Sequence, residues 1–334
     1  MKDKIFEEYR GEKEPTEYYK TYTRKKTINC KAVPIIAVLI LLISFTILGS
    51  FYDYEIANAL YIGQKPKENF FGVLFAFVGI FPTFVGWSFL GSSILCLSKK
   101  HIENKNSKRW LIALAVLLFV LSFFYFCNTL MMVNSSAFTV HWAIAYPVGI
   151  ATLLGASLLG YKMSARSDNT TLLNKVLLLS IVSLVVMIII MSTKEIMSRP
   201  RFRFVIESSN PDYFRNWWQS GKDIKEGISQ TVISDEFSSF PSGHSAYSMF
   251  AIFLFPAFAD YNAKLKKYRV LLAFLGFVWW CLTALSRITV GAHYLTDVCI
   301  SALTVIIVWL TVNHINRVVL RRKKLAKRKT ITAS

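Results

Sequence analysis

The sequence predicts an all-α protein, a polytopic bundle of about eight transmembrane spans with both termini cytoplasmic. Three observations carry that expectation. Hydrophobic residues make up 54% of the chain and charged residues 18%. The apolar residues fall in uninterrupted runs of the ~20 residues that cross a ~30 Å hydrocarbon core. Basic residues recur in every second connection between the runs, the positive-inside pattern.

In order, the runs cover 32–51, 71–97, 110–132, 138–161, 172–193, 243–259, 268–286 and 293–314. Residues 1–31 precede them as a cytoplasmic basic arm, too long and, with Glu7, Glu8, Glu12, Glu14 and Glu17, too acidic for a cleaved signal peptide. The connection 53–70, Asp53 included, lies outside. Lys99, Lys100, Lys105, Lys108 and Arg109 mark the return inside, the uncharged turn 133–137 lies outside, and Lys162 and Arg166 are inside again. Residues 32–171 thus form an N-terminal membrane region. A core at 172–316 follows, with one long outside connection at 195–240 and an inside turn at Lys264, Lys266 and Lys267. The basic tail 317–334 ends the chain inside.

The net charge of +19 therefore follows the membrane side. It sets topology and attracts anionic lipid headgroups to the basic termini. No nucleic-acid partner is expected, because no base-stacking motif or nucleic-acid fold signature accompanies the charge. Cys30, Cys96, Cys127, Cys281 and Cys299 lie in the arm or within spans, so no disulfide framework is indicated, and no Cys/His spacing resembles a zinc site. The expectation is no metal and no cofactor.

A connection as long as 195–240 inside a compact bundle is usually functional or mobile. Its Phe202, Phe204, Tyr213, Phe214, Trp217 and Trp218 fit an interfacial segment at the outer headgroup layer. They fit an ordinary aromatic belt equally well.

Three short motifs flank the last spans: Lys194-x6-Arg201, Pro241-Ser242-Gly243-His244, and Ser286-Arg287-x5-His293-x3-Asp297. Charged residues beside spans are expensive and carry function by default. The predicted topology brings all three to the extracytoplasmic face, since span five ends there at Lys194, span six starts at Gly243, span seven ends at Arg287 and span eight starts at His293.

Together the motifs read as a phosphate site. Arg201 and Arg287 offer planar forks for phosphate oxygens, and Lys194 adds a point charge. Arg199 and Arg203 lie close enough in sequence to substitute or assist. Ser242 and Gly243 open a helix behind Pro241 and bring free N–H groups to an anion. His293 and Asp297, four apart, share one helix face, so the carboxylate holds one ring nitrogen protonated and leaves the other as nucleophile. His244 is then the general acid for the leaving oxygen. His101, His141 and His314 read as ordinary interfacial histidines.

These motifs resemble those of the type 2 phosphatidic acid phosphatase superfamily, which includes bacterial acid phosphatases and vanadium haloperoxidases. The resemblance covers Lys194 to about His314. It implies phosphate binding by Lys194, Arg201, Ser242, Gly243 and Arg287, His244 as general acid, His293 as the phosphorylated residue and Asp297 as its partner. Phe202 stands where the family usually has proline, so a shifted loop with retained activity is expected there. Membrane members typically have six spans, which leaves an added N-terminal pair here.

The expected function is that of a metal-independent lipid phosphate phosphatase of the cell envelope, a multi-pass cell-membrane protein with its active site extracytoplasmic. Its substrate would be undecaprenyl diphosphate, phosphatidic acid or phosphatidylglycerol phosphate, cleaved through a phosphohistidine. The alternatives are a lipid phosphoryl or headgroup transferase using the same site, or a non-catalytic protein that binds or transports lipid phosphates.

Overall fold

The computed structural model describes residues 33–65, 67–135, 142–228 and 234–333. The predicted arm 1–31, residues 136–137 of the predicted turn 133–137, and His141 lie outside the described residues, while 133–135 are helical. All regular structure among the described residues is helical. The helices are α1 (Val33–Leu60), α2 (Phe70–Val78), α3 (Phe81–His101), α4 (Lys105–Ser135), α5 (Trp142–Arg166) and α6 (Leu172–Met197). Then come α7 (Phe202–Glu207), α8 (Lys222–Gly227), α9 (Gly243–Met249), α10 (Ala251–Tyr261), α11 (Arg269–Thr289) and α12 (Leu295–Ala333). The chain divides into two compact units, Met1–Leu41 and Leu42–Ser334; the second holds α2 to α12 and the C-terminal part of α1.

Seven stretches of the described residues are long and apolar enough to cross a membrane, ending with Leu172–Glu207, Ala263–Thr289 and Leu295–Arg322. The sequence led to eight. The difference is 243–259, which forms two consecutive short helices, α9 and α10, separated by Phe250, with Pro256 inside the second. The long connection is also more ordered than a loop, since it contains α7, α8 and 3-10 turns at Pro211–Tyr213 and Ser234–Phe237. The predicted basic tail continues α12 as helix to Ala333. Asp53, expected in an outside connection, sits within α1.

Small and hydroxylated residues let the spans approach closely, the usual solution where apolar burial no longer drives association. Ser88 of α3 meets Ser122 of α4 at 2.8 Å, and Ser122 donates to the Phe84 carbonyl at 2.7 Å. The Trp87 indole donates to Ser183 of α6 at 2.8 Å, and the Thr83 hydroxyl donates to the Tyr247 carbonyl at 2.6 Å, which ties α3 to α9. Around these bonds Phe84, Trp87, Leu90, Ile94, Leu118 and Leu254 form the buried core.

Candidate active site

Each motif residue is delivered by a helix end. α6 stops at Ser198, whose left-handed backbone (φ 43°, ψ 40°) turns the chain away one turn after Lys194. Pro200 then bars a helical continuation, and Arg201 takes an extended conformation (φ −74°, ψ 150°) as the residue before α7. Those are the dihedrals a residue before proline prefers. The backbone leading into Phe202 thus has the conformation that the family's proline would need before it. The Phe202 ring, fully buried, packs edge-on against Tyr54, Tyr61 and Tyr294. It is core, as is Phe204, while Trp218 stays half-exposed.

Ser242 is the N-cap of α9, its hydroxyl accepting the Ser245 N–H at 3.3 Å. Pro241 precedes this cap and does not enter the first turn. Gly243 and His244 occupy that turn, where N–H groups have no intrahelical acceptor. Ser245 locks α9 in place: its hydroxyl donates to the Val298 carbonyl of α12 at 2.6 Å and accepts the Trp280 indole of α11 at 2.8 Å.

α11 ends just beyond Arg287, and the chain turns at Gly291, whose φ of +66° suits glycine. The turn wraps back onto Arg287, whose carbonyl accepts the N–H groups of Ala292 (3.0 Å) and His293 (3.3 Å). His293 therefore lies in the link before α12, whereas the sequence placed it on the same helix as Asp297.

That changes what orients its ring. His293 Nδ1 lies 2.6 Å from the Ser239 carbonyl oxygen and 3.7 Å from Asp297 Oδ2. A carbonyl only accepts, so Nδ1 carries the hydrogen and Nε2 keeps its lone pair. Burial pushes the ring below the usual imidazole range, opposed by Asp297. Asp297, fully buried, accepts from the Ser239 hydroxyl (2.6 Å), the Tyr294 N–H (2.9 Å) and Arg199 (2.5 Å). It steadies the support around His293, and the Ser239 carbonyl makes the direct contact.

His244 Nε2 faces the Ala76 carbonyl at 3.0 Å, and Arg287 donates to the Gly72 carbonyl at 2.7 Å. Both acceptors belong to α2, so the N-terminal region forms one wall of the site. Lys194 donates to the Ser238 carbonyl. Among the described residues neither Lys194 nor Arg287 forms an ion pair with a carboxylate. Arg201 does, with Asp235 at 2.6 Å, yet its Nε is buried without a partner. Arg201 lies within electrostatic reach of Lys194, Arg287, His244 and His293.

The other two arginines have different work. Arg203 is held by Glu236 in a two-pronged pair. Arg199 is fully buried between Asp297 and Asp53, 2.9 Å away, with its guanidinium 4.1 Å above the Tyr294 ring. Both its carboxylate partners are contacting, so it has no charge to spare for a phosphate, and its reading as a stand-in for Arg201 is corrected. Sequence reasoning missed Asp53, Ser239 and Tyr294. A lone carboxylate at the end of an apolar run was the only available signal for Asp53; Ser239, used through its backbone carbonyl, left none.

Residues 174–321 match the family described as the PAP2 superfamily, a stretch that contains all three motifs. No curated protein and no solved structure matches the chain.

Proposed function

We propose, from the match of residues 174–321 to the PAP2 superfamily and from the multi-pass helical membrane architecture, that the chain is a lipid phosphatase of that superfamily working through a phosphohistidine. The observation that carries this reading is a cluster of largely buried cations with spare charge: among the described residues Lys194 and Arg287 have no contacting carboxylate, and Arg201 has one, Asp235. Lys194 donates to a neutral carbonyl, Arg287 donates to a neutral carbonyl and to the Ser286 hydroxyl, and Arg201 keeps a buried N–H free. Uncompensated buried charge is costly unless an anion arrives to pair with it. A phosphate dianion is the ligand that such a cluster fits.

In the proposed reaction His293 Nε2 attacks phosphorus and the bond from phosphorus to the lipid oxygen breaks. His244 gives its proton to that oxygen. Water then attacks the phosphohistidine with His244 as base, which releases inorganic phosphate and restores Nε2. Lys194, Arg201 and Arg287 hold the equatorial oxygens through both steps. No metal takes part in this scheme.

Two features support a lipid substrate at an extracytoplasmic site. The site lies at the ends of helices long and apolar enough to cross a membrane. Lys175, paired with Asp260 at 2.6 Å, and Arg269, paired with the same carboxylate, stand at the opposite end of the bundle: α6 starts beside Lys175 and ends at Lys194, a helix long enough to span the core.

The test is phosphate release by the purified protein in detergent with excess chelator, offered phosphatidic acid, phosphatidylglycerol phosphate and undecaprenyl diphosphate, beside His293→Ala. Chelator-resistant release, with acid-labile phosphate on the protein and both lost in His293→Ala, is expected. Full activity in His293→Ala would remove the assigned nucleophile, and a phosphorylated acceptor in place of free phosphate would make the protein a transferase.

A further inference from the structure

α1 lies outside the PAP2 stretch, yet its Asp53 carboxylate is 2% exposed and reaches the site. The local cause is visible in the backbone. Tyr52 departs from helical dihedrals (φ −129°, ψ 21°) immediately before Asp53. One turn earlier Gly49 sits against α12, where a Cβ would lie 2.8 Å from Thr296 Cγ2. The close approach sets the carboxylate over the first turn of α12. Its Oδ1 accepts the Thr296 N–H at 3.0 Å, and its Oδ2 accepts both the Thr296 hydroxyl and Arg199 at 2.9 Å. A negative charge is favoured at that helix end.

From Asp53 a continuous chain of buried contacts leads to the nucleophile. One terminal nitrogen of Arg199 binds Asp53 and the other binds Asp297 Oδ1 at 2.5 Å. Asp297 Oδ2 accepts the Ser239 hydroxyl at 2.6 Å, and the Ser239 carbonyl meets His293 Nδ1 at 2.6 Å. Burying three charges is expensive, and such a set is stable only while every partner is present. A planar guanidinium held on both sides has one orientation; held on one side it has several.

We propose that Asp53 is a positioning residue for phosphoryl transfer: through Arg199 it orients Asp297 and Ser239, and with them the His293 ring. The proposal rests on the phosphatase reading above and gives the first span a role in the site. Asp53 does not touch phosphate in it, so substrate binding and turnover should respond differently to its loss.

The experiment compares the full chain with Asp53→Asn, Arg199→Lys, the double variant and Ser50→Ala, all in detergent. Ser50 is the control, because it accepts the Trp217 indole at 2.9 Å from the same helix and has no link to the chain of contacts. Readouts are kcat, KM, melting temperature, and affinities for vanadate and sulfate. Vanadate takes the five-coordinate geometry of the transition state only with an aligned nucleophile, while sulfate needs the cations alone.

Asp53→Asn is expected to lower kcat about 10- to 100-fold, the usual cost of losing a supporting partner, and to weaken vanadate by a similar factor. KM and sulfate affinity should stay within about threefold, as for loss of an interaction made only in the transition state. The double variant should be no worse than the poorer single one, since both cut the same chain. An unchanged kcat, a parallel loss of sulfate binding, or an equal loss in Ser50→Ala would overturn the proposal. If Asp53→Asn is not recovered folded, Arg199→Lys carries the same test, because it keeps the cation and loses the two-sided grip. If the wild-type chain releases no phosphate, the phosphatase reading fails, and the vanadate-to-sulfate ratio still decides: a fall in Asp53→Asn supports positioning and no change refutes it.

Discussion

Replacing Asp297 by Asn separates two ways of holding a nucleophilic histidine. Where a carboxylate alone sets the tautomer, its loss costs about 10⁴ in rate. Here the Ser239 carbonyl holds Nδ1 at 2.6 Å and Asp297 stands back at 3.7 Å. The tautomer should survive, and the damage should come from the surroundings. The amide can accept from Arg199 on one atom only by turning its NH₂ toward the Ser239 hydroxyl and the Tyr294 N–H, both of which donate to Oδ2 now. The hydroxyl can rotate and accept, but the Tyr294 N–H cannot, and one buried donor without a partner costs ~1–3 kcal/mol. Arg199 keeps Asp53, so the full ~3–5 kcal/mol for breaking a buried pair does not apply. The expected result is a folded variant less stable by ~1–3 kcal/mol and slower by about 10², or ~2.7 kcal/mol in the barrier. Initial rates on a lipid phosphate and thermal unfolding in detergent check both figures. A loss of 10⁴ or more in a variant that melts like the wild type would refute the reasoning, because it would make Asp297 the residue that sets the tautomer.

Arg199→Ala leaves Asp53 and Asp297 buried with no counter-charge, so it should destabilise the protein by ~3–5 kcal/mol. Arg201→Ala, at a partly exposed side chain, should melt higher than Arg199→Ala yet show the larger rise in KM. Asp235→Asn removes the carboxylate that competes with phosphate for Arg201 and should lower KM about fivefold, the ~1 kcal/mol of a partly exposed pair; an unchanged KM would show that Asp235 does not compete. Gly276→Ala would put a methyl group 2.6 Å from the Ala251 backbone where α11 meets α10, and should cost ~1–3 kcal/mol in thermal unfolding with little effect on KM.

Hydropathy and motif spacing are local properties, and what depends on them was readable from the chain. The apolar runs gave the helical membrane class, and the motif spacings picked out Lys194, Arg201, Ser242, His244, Arg287, His293 and Asp297. A break such as the one at Phe250 was not readable, because a 17-residue apolar run looks the same whether one helix or two short ones carry it. The position of His293 off the α12 helix was hidden for a related reason: a spacing of four fits a helix, and only the left-handed turn at Gly291 shows where the helix begins.

By itself, then, the sequence determined a helical, multi-pass membrane protein and picked out the cations and the two histidines that border its last spans. Tertiary structure alone decided who holds whom. Asp53 meets Thr296 across 243 residues, Arg199 becomes a buried tie between two carboxylates, and a backbone carbonyl with no side-chain signature orients the His293 ring. The physical reason is that burial cost and hydrogen-bond geometry belong to contacts between distant segments. Those contacts exist only once the helices have packed.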